Sequence, residues 1–467
     1  MKFLNEGRSD LNELFTRILK KDFSGNTGLV IKNSFYQFLS NFTTKIGSLI
    51  FTIIIARLLM PELFGLYNLA LSTILFFYIF SDLGSNQALI YYVSKKLGNK
   101  QYGKAKGYIR KIFSVKIILT GISVIVLLLL AEVLSEVYYK KPLFLALISG
   151  GLYILFSSIQ SFLVSIFYSK NNFKTPFIKD ILFQGFRIVL IPVLIFILVK
   201  KMDLENPFIL FYIILSLSIL YLLSVFFLLS KIKKTFNIKA KTIKTSSAEN
   251  KGIIKFILGL SLLSLSPMFF GSVDKIILGY FVSTEFIGYY SAAFNIITSL
   301  APLIVFSDIL FPIFIRMDNK RAEPAFKKTL RLTFMFSLLA FFIVFLFADQ
   351  IIFIIFGTEY LTAAPLLRFS SLLLISFPLS EVFGNYLISR GHLSKVSVLI
   401  IFTLVLTVFL TFMIPYLLLS QGFYMVTFGV IFAMIIGRFF YLAGLFFIWR
   451  KNLNIQGVKE SDEQKKN

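Results

Sequence analysis

Residues 48–98 read SLIFTIIIARLLMPELFGLYNLALSTILFFYIFSDLGSNQALIYYVSKKLG, and two features of this stretch decide the fold. An apolar run ends at Leu59 and another begins after Pro61. Each, with its neighbours, is long enough to cross a hydrocarbon core of roughly 30 Å. Lipid offers the backbone no hydrogen-bond partners, so such runs are helices.

The second feature is that PELFGLYNLALSTI (61–74) returns as TEFIGYYSAAFNII (284–297), with Glu62 on Glu285, Gly65 on Gly288, Tyr67 on Tyr290 and Ala70 on Ala293. Allowing small gaps, the overlay also pairs Asn99-Lys100 with Asn319-Lys320, Ala131-Glu132 with Ala348-Asp349, and Ser169-Lys170 with Ser389-Arg390. Matches that fall together at corresponding helix boundaries mark an internal repeat.

Working outward, apolar runs place spans at 34–59, 63–92, 112–131, 143–168, 177–199, 207–230, 253–280, 286–315, 329–347, 361–389, 396–418 and 423–449. The reading is an all-α polytopic membrane protein with about twelve transmembrane helices. A chain that is 57% hydrophobic and 15% charged, with mean hydropathy +0.82, has no place among soluble domains. Residues 1–33 form an amphipathic N-terminal segment, in which 8–21 read as an in-plane helix on the inner leaflet. Residues 34–230 form one six-helix bundle, 231–252 a basic linker, 253–449 a second bundle and 450–467 a polar tail. The first span lacks a small-residue cleavage pattern and reads as a retained helix, not a signal peptide. Because six is even, both halves enter the membrane in the same sense, which is the parallel-repeat plan with its cavity between the halves.

The formal charge of +25 raises nucleic acid as a partner, but its distribution argues for a membrane. The N-terminus, 94–111, 169–180, 231–255, 316–331, 390–395 and the tail hold 37 Lys and Arg. The alternating segments hold 5, counting Arg57 at a span end. The positive-inside rule then puts both termini in the cytoplasm and 132–142 and 200–206 outside, in a multi-pass protein of the cell membrane. Cysteine is absent and the single histidine, His392, lies in a short turn, so disulfides and His/Cys metal sites are excluded. No Gly-rich phosphate cradle with its Lys-Ser/Thr is found, and no cofactor is implied.

An ionisable side chain near the bilayer centre costs about 2.5–3.5 kcal/mol on insertion scales, so it is expected to face a cavity or a partner. Asn41, Lys45, Ser48 and Thr52 make one stripe, and Asp180, Gln184 and Arg187 another. Asn68, Ser72, Asp82 and Asn86 share a face, as do Ser371, Pro378, Glu381, Asn385 and Ser389. Lys45, Arg187 and Arg438 lie mid-span where acids are scarce, and are expected to converge on a hydrated cationic cavity lined also by Asn41, Gln184 and Asn385. Asp82, Asp274 and Glu381 are the candidate coupling acids, with Lys275 a candidate salt-bridge partner of Asp274. Arg368, Asp308 and Lys116 sit near span ends and read as structural pairs or snorkelling groups. Pro267, flanked by Ser and Gly, is a candidate hinge.

The opening stretch resembles polysaccharide flippases of the multidrug/oligosaccharidyl-lipid/polysaccharide exporter superfamily. The likeness rests on Ala56-Arg57-Leu58-Leu59, Phe64-Gly65 and Ser81-Asp82-Leu83-Gly84, and continues in Asp274–Gly279, Ile287–Tyr290 and Phe356–Tyr360. It covers residues 30–450 and departs after Pro415, where LLLSQGFYMVTFGV replaces the family's small-residue turn. The resemblance implies a MATE-like pair of six-helix bundles and a non-enzymatic, alternating-access function. The cargo it implies is an oligosaccharide on a polyprenyl phosphate or pyrophosphate, carried from the cytoplasmic to the outer leaflet for surface glycan assembly. Membrane lipids, glycosyltransferases and a polymerase are the implied partners of a monomeric transporter. A cation-coupled multidrug exporter of the same superfamily is the alternative, disfavoured by the cationic mid-span residues. A membrane-embedded glycosyltransferase or polymerase is a further one, disfavoured by the short outer loops.

Overall fold

The computed structural model of the chain describes residues 25–200, 202, 204–235, 243, 245–305, 314 and 319–464. The expected helix over 8–21, residues 236–242 and 244 of the linker and Asp308 lie outside what is described, as does the side chain of the expected Pro267 hinge. The described residues form helices α1 (Gly25–Phe80), α2 (Ser85–Gly98), α3 (Tyr102–Glu132), α4 (Phe144–Ser169), α5 (Lys174–Lys200), α6 (Asn206–Thr235) and α7 (Ser247–Phe281). They continue with α8 (Thr284–Ile304), α9 (Asn319–Leu346), α10 (Ala348–Phe356), α11 (Ala364–Ser370), α12 (Leu373–Ser389), α13 (Leu393–Leu417) and α14 (Phe423–Gln464). No strand occurs among the described residues.

Nine of these helices are long and apolar enough to cross a membrane among the described residues, and the bent α11–α12 pair makes a tenth. Helix α1 is two spans joined at Met60, whose positive φ of 59° breaks the ladder just before Pro61. With that division these make eleven of the expected twelve, and helix α7 occupies the place of the remaining one, 253–280. The expected span 63–92 differs from the structure. It is interrupted at residues 81–84, where Leu83 (φ 43°) and Gly84 (φ 90°) turn the chain before α2. Asp82 accounts for the break, because its Oδ1 accepts from Ser85 Oγ (2.7 Å) and Asn86 N (3.2 Å) and so starts the new helix.

The repeat extends into backbone detail. Helix α4 ends with Asn171 N and Asn172 N donating to Tyr168 O and Phe167 O, around a positive φ at Asn171. Helix α12 ends with Gly391 N and His392 N donating to Ile388 O and Leu387 O, around a positive φ at Gly391. These are the same left-handed C-terminal closures at corresponding places.

Among the described residues the buried apolar side chains fall into three clusters. At the end away from the lysine-rich loops, one continuous core joins both halves through residues such as Phe64, Leu69, Leu127, Leu147, Ile214, Leu278, Tyr290, Ile352, Leu366 and Val430. At the lysine-rich end the described residues form two separate cores. One packs Leu89, Tyr108, Phe167 and Leu228 of the N-terminal half with Ile253 and Ile257 of α7. The other packs Phe314, Phe326, Phe383, Val396 and Leu445 of the C-terminal half. The start of α7 therefore leans on the N-terminal half although its far end joins the shared core. Its first turn is fixed by a capping box in which Ser246 Oγ accepts from Glu249 N and Ser246 N donates to Glu249 Oε2 at 2.8 Å. Tyr108 Oη donates to Glu249 Oε1 at 2.9 Å, tying this turn to α3. The Ser246 amide, followed by Tyr108, holds the Glu249 carboxyl below its ordinary range.

At the sealed end, side chains of one half donate to backbone carbonyls of the other. Lys141 Nζ reaches Gly279 O at 2.6 Å, Arg57 Nε reaches Ile355 O at 2.8 Å with Nη2 on Ile354 O, and Tyr360 Oη reaches Ala56 O at 2.8 Å.

Candidate functional site

The polar stripe of α1 meets that of α5 as a ladder. Ser40 Oγ donates to Asp180 Oδ2, Gln184 Nε2 donates to Thr44 O at 3.3 Å, and Arg187 Nη1 donates to Ser48 Oγ at 3.1 Å. Spacings of four on α1 and of four and three on α5 keep the two rows in step over two turns. Gly47 lets the helices close, since a Cβ there would stand 2.8 Å from Gln184 Cγ.

Arg187 sits midway along α5 with its guanidinium over the Phe51 ring, 3.9 Å from the centroid. A cation over an aromatic face is held electrostatically while its hydrogen-bond edge stays free for other partners. Around it stand Tyr67, Tyr153 and Tyr221, the last two with hydroxyls 3.2 Å apart. Arg187 Nε and Gln184 Oε1 are buried and make no hydrogen bond among the described residues, and the Tyr67 hydroxyl lies against the Arg187 guanidinium. Buried polar atoms without a partner cost about 1–3 kcal/mol each, which makes this the polar locality of the N-terminal half to be explained.

The C-terminal half holds a second polar site. A cavity of about 390 Å³ is lined by Arg438, Asn385, Glu381, Ser380, Thr298 and Tyr441, with Phe377 among its apolar residues. Arg438 lies over Phe377, 4.3 Å from the centroid. Each half thus presents one mid-span arginine on a phenylalanine face.

The expected site residues therefore fall into two groups. Gln184 and Arg187 meet α1, and Lys45 and Asn41 lie on the neighbouring, more exposed face of that helix. Arg438, Asn385 and Glu381 share the C-terminal cavity, whose lining contains neither Lys45 nor Arg187. Ser40 and Thr44, which make the ladder, and the tyrosines around Arg187 were not singled out in the sequence. A one-residue shift of the α1 stripe was the available signal.

Of the candidate acids, Asp82 bonds Lys116 Nζ at 2.8 Å; the lysine side chain is fully buried. Asp274 is buried and accepts from Tyr290 Oη at 2.5 Å, while its Oδ1 has no hydrogen-bond partner among the described residues. It borders a small cavity with Thr407, Thr411 and Met434. Lys275 points instead toward the Phe294 ring, 6.0 Å from its centroid. Arg368 pairs with Asp349 at 2.5 Å. No group of three metal-ligating side chains occurs among the described residues.

The fold is similar to that of solved membrane transporters. An inward-facing multidrug resistance MATE family transporter of the MOP superfamily superposes with a TM-score of 0.64 at 16% identity, covering 89% of this chain and 96% of that one. The lipid II flippase MurJ, in an inward closed conformation, gives 0.68 at 14% identity over 88% and 87%. A MOP superfamily transporter from Pyrococcus furiosus, reported to have a binding pocket of reverse polarity, gives 0.55 at 15% identity over 90% and 96%. No curated protein matches the chain. Residues 30–318, well over half of the sequence, match the family described as "Polysaccharide biosynthesis protein", and the chain belongs to that family.

Proposed function

We propose that this protein is a flippase that carries an oligosaccharide linked to a polyprenyl phosphate or pyrophosphate from the cytoplasmic to the outer leaflet by alternating access. The observation that carries the reading is the pair of mid-span arginines, one in each half, each laid on a phenylalanine ring with polar side chains beside it. Charge-assisted bonds to phosphate oxygens are about twice as strong as neutral ones, and arginine engages two oxygens at once. Asn385, Ser380, Thr298 and Gln184 supply hydrogen-bond groups suited to sugar hydroxyls.

The three-core packing supports a direction. If the lysine-rich end is cytoplasmic, as the positive-inside rule has it, the shared core seals the outer side and the two separate cores flank an entrance from the cytoplasm. That arrangement is the cargo-loading state. Cationic cargo of the multidrug type suits the two arginines less well.

The test is transport of a fluorescent polyprenyl-pyrophosphate oligosaccharide in proteoliposomes, alongside expression level. Arg187→Ala and Arg438→Ala are expected to abolish most transport with expression retained, and Arg187→Lys to lower it although charge is kept. Full transport by both alanine variants would overturn the reading. Loss of expression, restored by removing a nearby acid, would make the arginines structural.

A further inference from the structure

Helix α3 carries Lys106, Arg110, Phe113 and Ile117 at spacings of four, three and four, which places them on one face. The two cations lie toward the lysine-rich end, and Phe113 and Ile117, each 37% exposed, lie deeper. Where this face meets α4 a groove of about 320 Å³ opens, lined by Lys106, Ile109, Arg110, Phe113, Phe162 and Leu163. The Phe113 and Phe162 rings, 5.0 Å apart, form its floor.

The chemistry changes along the groove in the order a phospholipid does. Seven residues of helix separate Lys106 from Phe113, about 10 Å along the axis. That spacing sets two cations at phosphate depth and an aromatic floor at the depth of the upper acyl chain. A free anion would use only the cations and would leave the aromatic floor without a role. The groove's lining includes neither Arg187 nor Arg438, so it is separate from the transport site.

We propose that this groove binds one anionic phospholipid of the leaflet at the lysine-rich end. Its phosphate sits between Lys106 and Arg110, and its acyl chain lies on Phe113 and Phe162. Each basic group near a membrane surface favours an anionic lipid by about a factor of five, so the pair gives a preference on the order of 10- to 30-fold over a zwitterionic lipid.

Native mass spectrometry of the full chain, titrated with phosphatidylglycerol and with phosphatidylcholine of the same acyl chains, tests this. The expected result is one tight phosphatidylglycerol site. Its preference should be lost in the Lys106→Ser/Arg110→Ser variant and kept in Lys100→Ser/Lys104→Ser, which removes the same charge from exposed positions nearby on the same side. Phe113→Ala should weaken both lipids. Equal loss in the two double variants, or an unchanged preference in the first, overturns the assignment. Displacement of the lipid by millimolar inorganic phosphate would make it an anion site only and overturn it too. Should the double variant fail to fold, Arg110→Gln alone is expected to lose about fivefold in preference, and no loss would refute the proposal.

Discussion

Gly65 and Gly288 occupy mirrored places in a single contact. A Cβ on Gly65 would stand 1.8 Å from the Thr284 carbonyl oxygen, and one on Gly288 would stand 2.0 Å from the Pro61 carbonyl oxygen. In the repeat overlay Gly65 falls on Gly288 and Pro61 on Thr284, so the contact is its own image under a two-fold axis. The halves meet where each presents a residue without a side chain to the other's helix start.

Either Gly65→Ala or Gly288→Ala must force the backbones apart, because the obstructing atom is a carbonyl that cannot rotate away. Overpacking of this kind costs about 1–3 kcal/mol, and the symmetry makes the two losses similar. Gly185→Ala, which meets nothing within 4 Å, serves as the control and is expected to be neutral or stabilising. Thermal unfolding in detergent compares the three. Wild-type stability in Gly65→Ala would contradict the contact.

Lys116 and Asp82 should behave as one unit. Removing the lysine leaves a carboxylate facing a vacated, buried space and is expected to cost about 3–5 kcal/mol. Asp82→Asn keeps an oxygen for the Ser85 and Asn86 donors, so the Lys116→Met/Asp82→Asn double variant should recover most of that loss. A double-mutant cycle on unfolding measures the coupling. Additive losses would dissolve the pair.

Asp274 is the acid expected to matter most for coupling, since it is buried with one oxygen unpartnered beside a cavity. Asp274→Asn should change the dependence of transport on the proton or sodium gradient more than Asp82→Asn or Glu381→Gln does. Unchanged gradient dependence in all three would remove these acids from coupling.

Lys141 gives the sealed end a pH dependence. Burial pushes its ammonium pKa down to about 8 in the closed contact with Gly279, whereas in water it returns toward about 10.4. Between these values the sealed form binds fewer protons, so sealing strengthens as pH rises from about 8 to 10 and is level below about 7. The unfolding midpoint of the wild type relative to Lys141→Met should therefore rise over that interval. A difference that stays constant with pH would refute it.

Much of this architecture was legible beforehand because it is written in side-chain type and period. The spans follow from apolar length, the division near residue 60 from the end of one apolar run at Leu59 and the start of the next, and the repeat from paired Glu, Gly and Tyr. The break at residues 81–84 was missed because the apolar run continues through it, and only the cap made by Asp82 reveals the new helix start. Arg187 and Gln184 stand out in the sequence because charge and amide are conspicuous in an apolar run. Ser40 and Thr44 do not: Ser40 acts through a hydroxyl, whose direction cannot be read from sequence, and Thr44 through its main-chain oxygen, which no side-chain pattern reports. The expected stripe contains Ser48, which bonds Arg187, but at Asn41 and Lys45 it passes one residue, about 100°, from Ser40 and Thr44. The separation of Arg187 from the Arg438 cavity depends on how far the halves stand apart, which no local pattern encodes.

The contacts across the sealed end share a bias that bears on how such a protein tolerates change. Lys141, Arg57 and Tyr360 each spend a specific side chain, while their acceptors at Gly279, Ile355, Ile354 and Ala56 are main-chain oxygens that every amino acid carries. Substitution on the accepting side leaves the bond's chemistry intact, so only the donor positions are chemically constrained. A substitution scan of the seam should therefore lose the hydrogen bonds only at the three donors; on the accepting side it tests packing instead, as at Gly279, where a Cβ would stand 2.6 Å from Leu69 Cδ1, and at the fully buried Ala56. Relatives could then keep the same lock while sharing little sequence on the side that receives it.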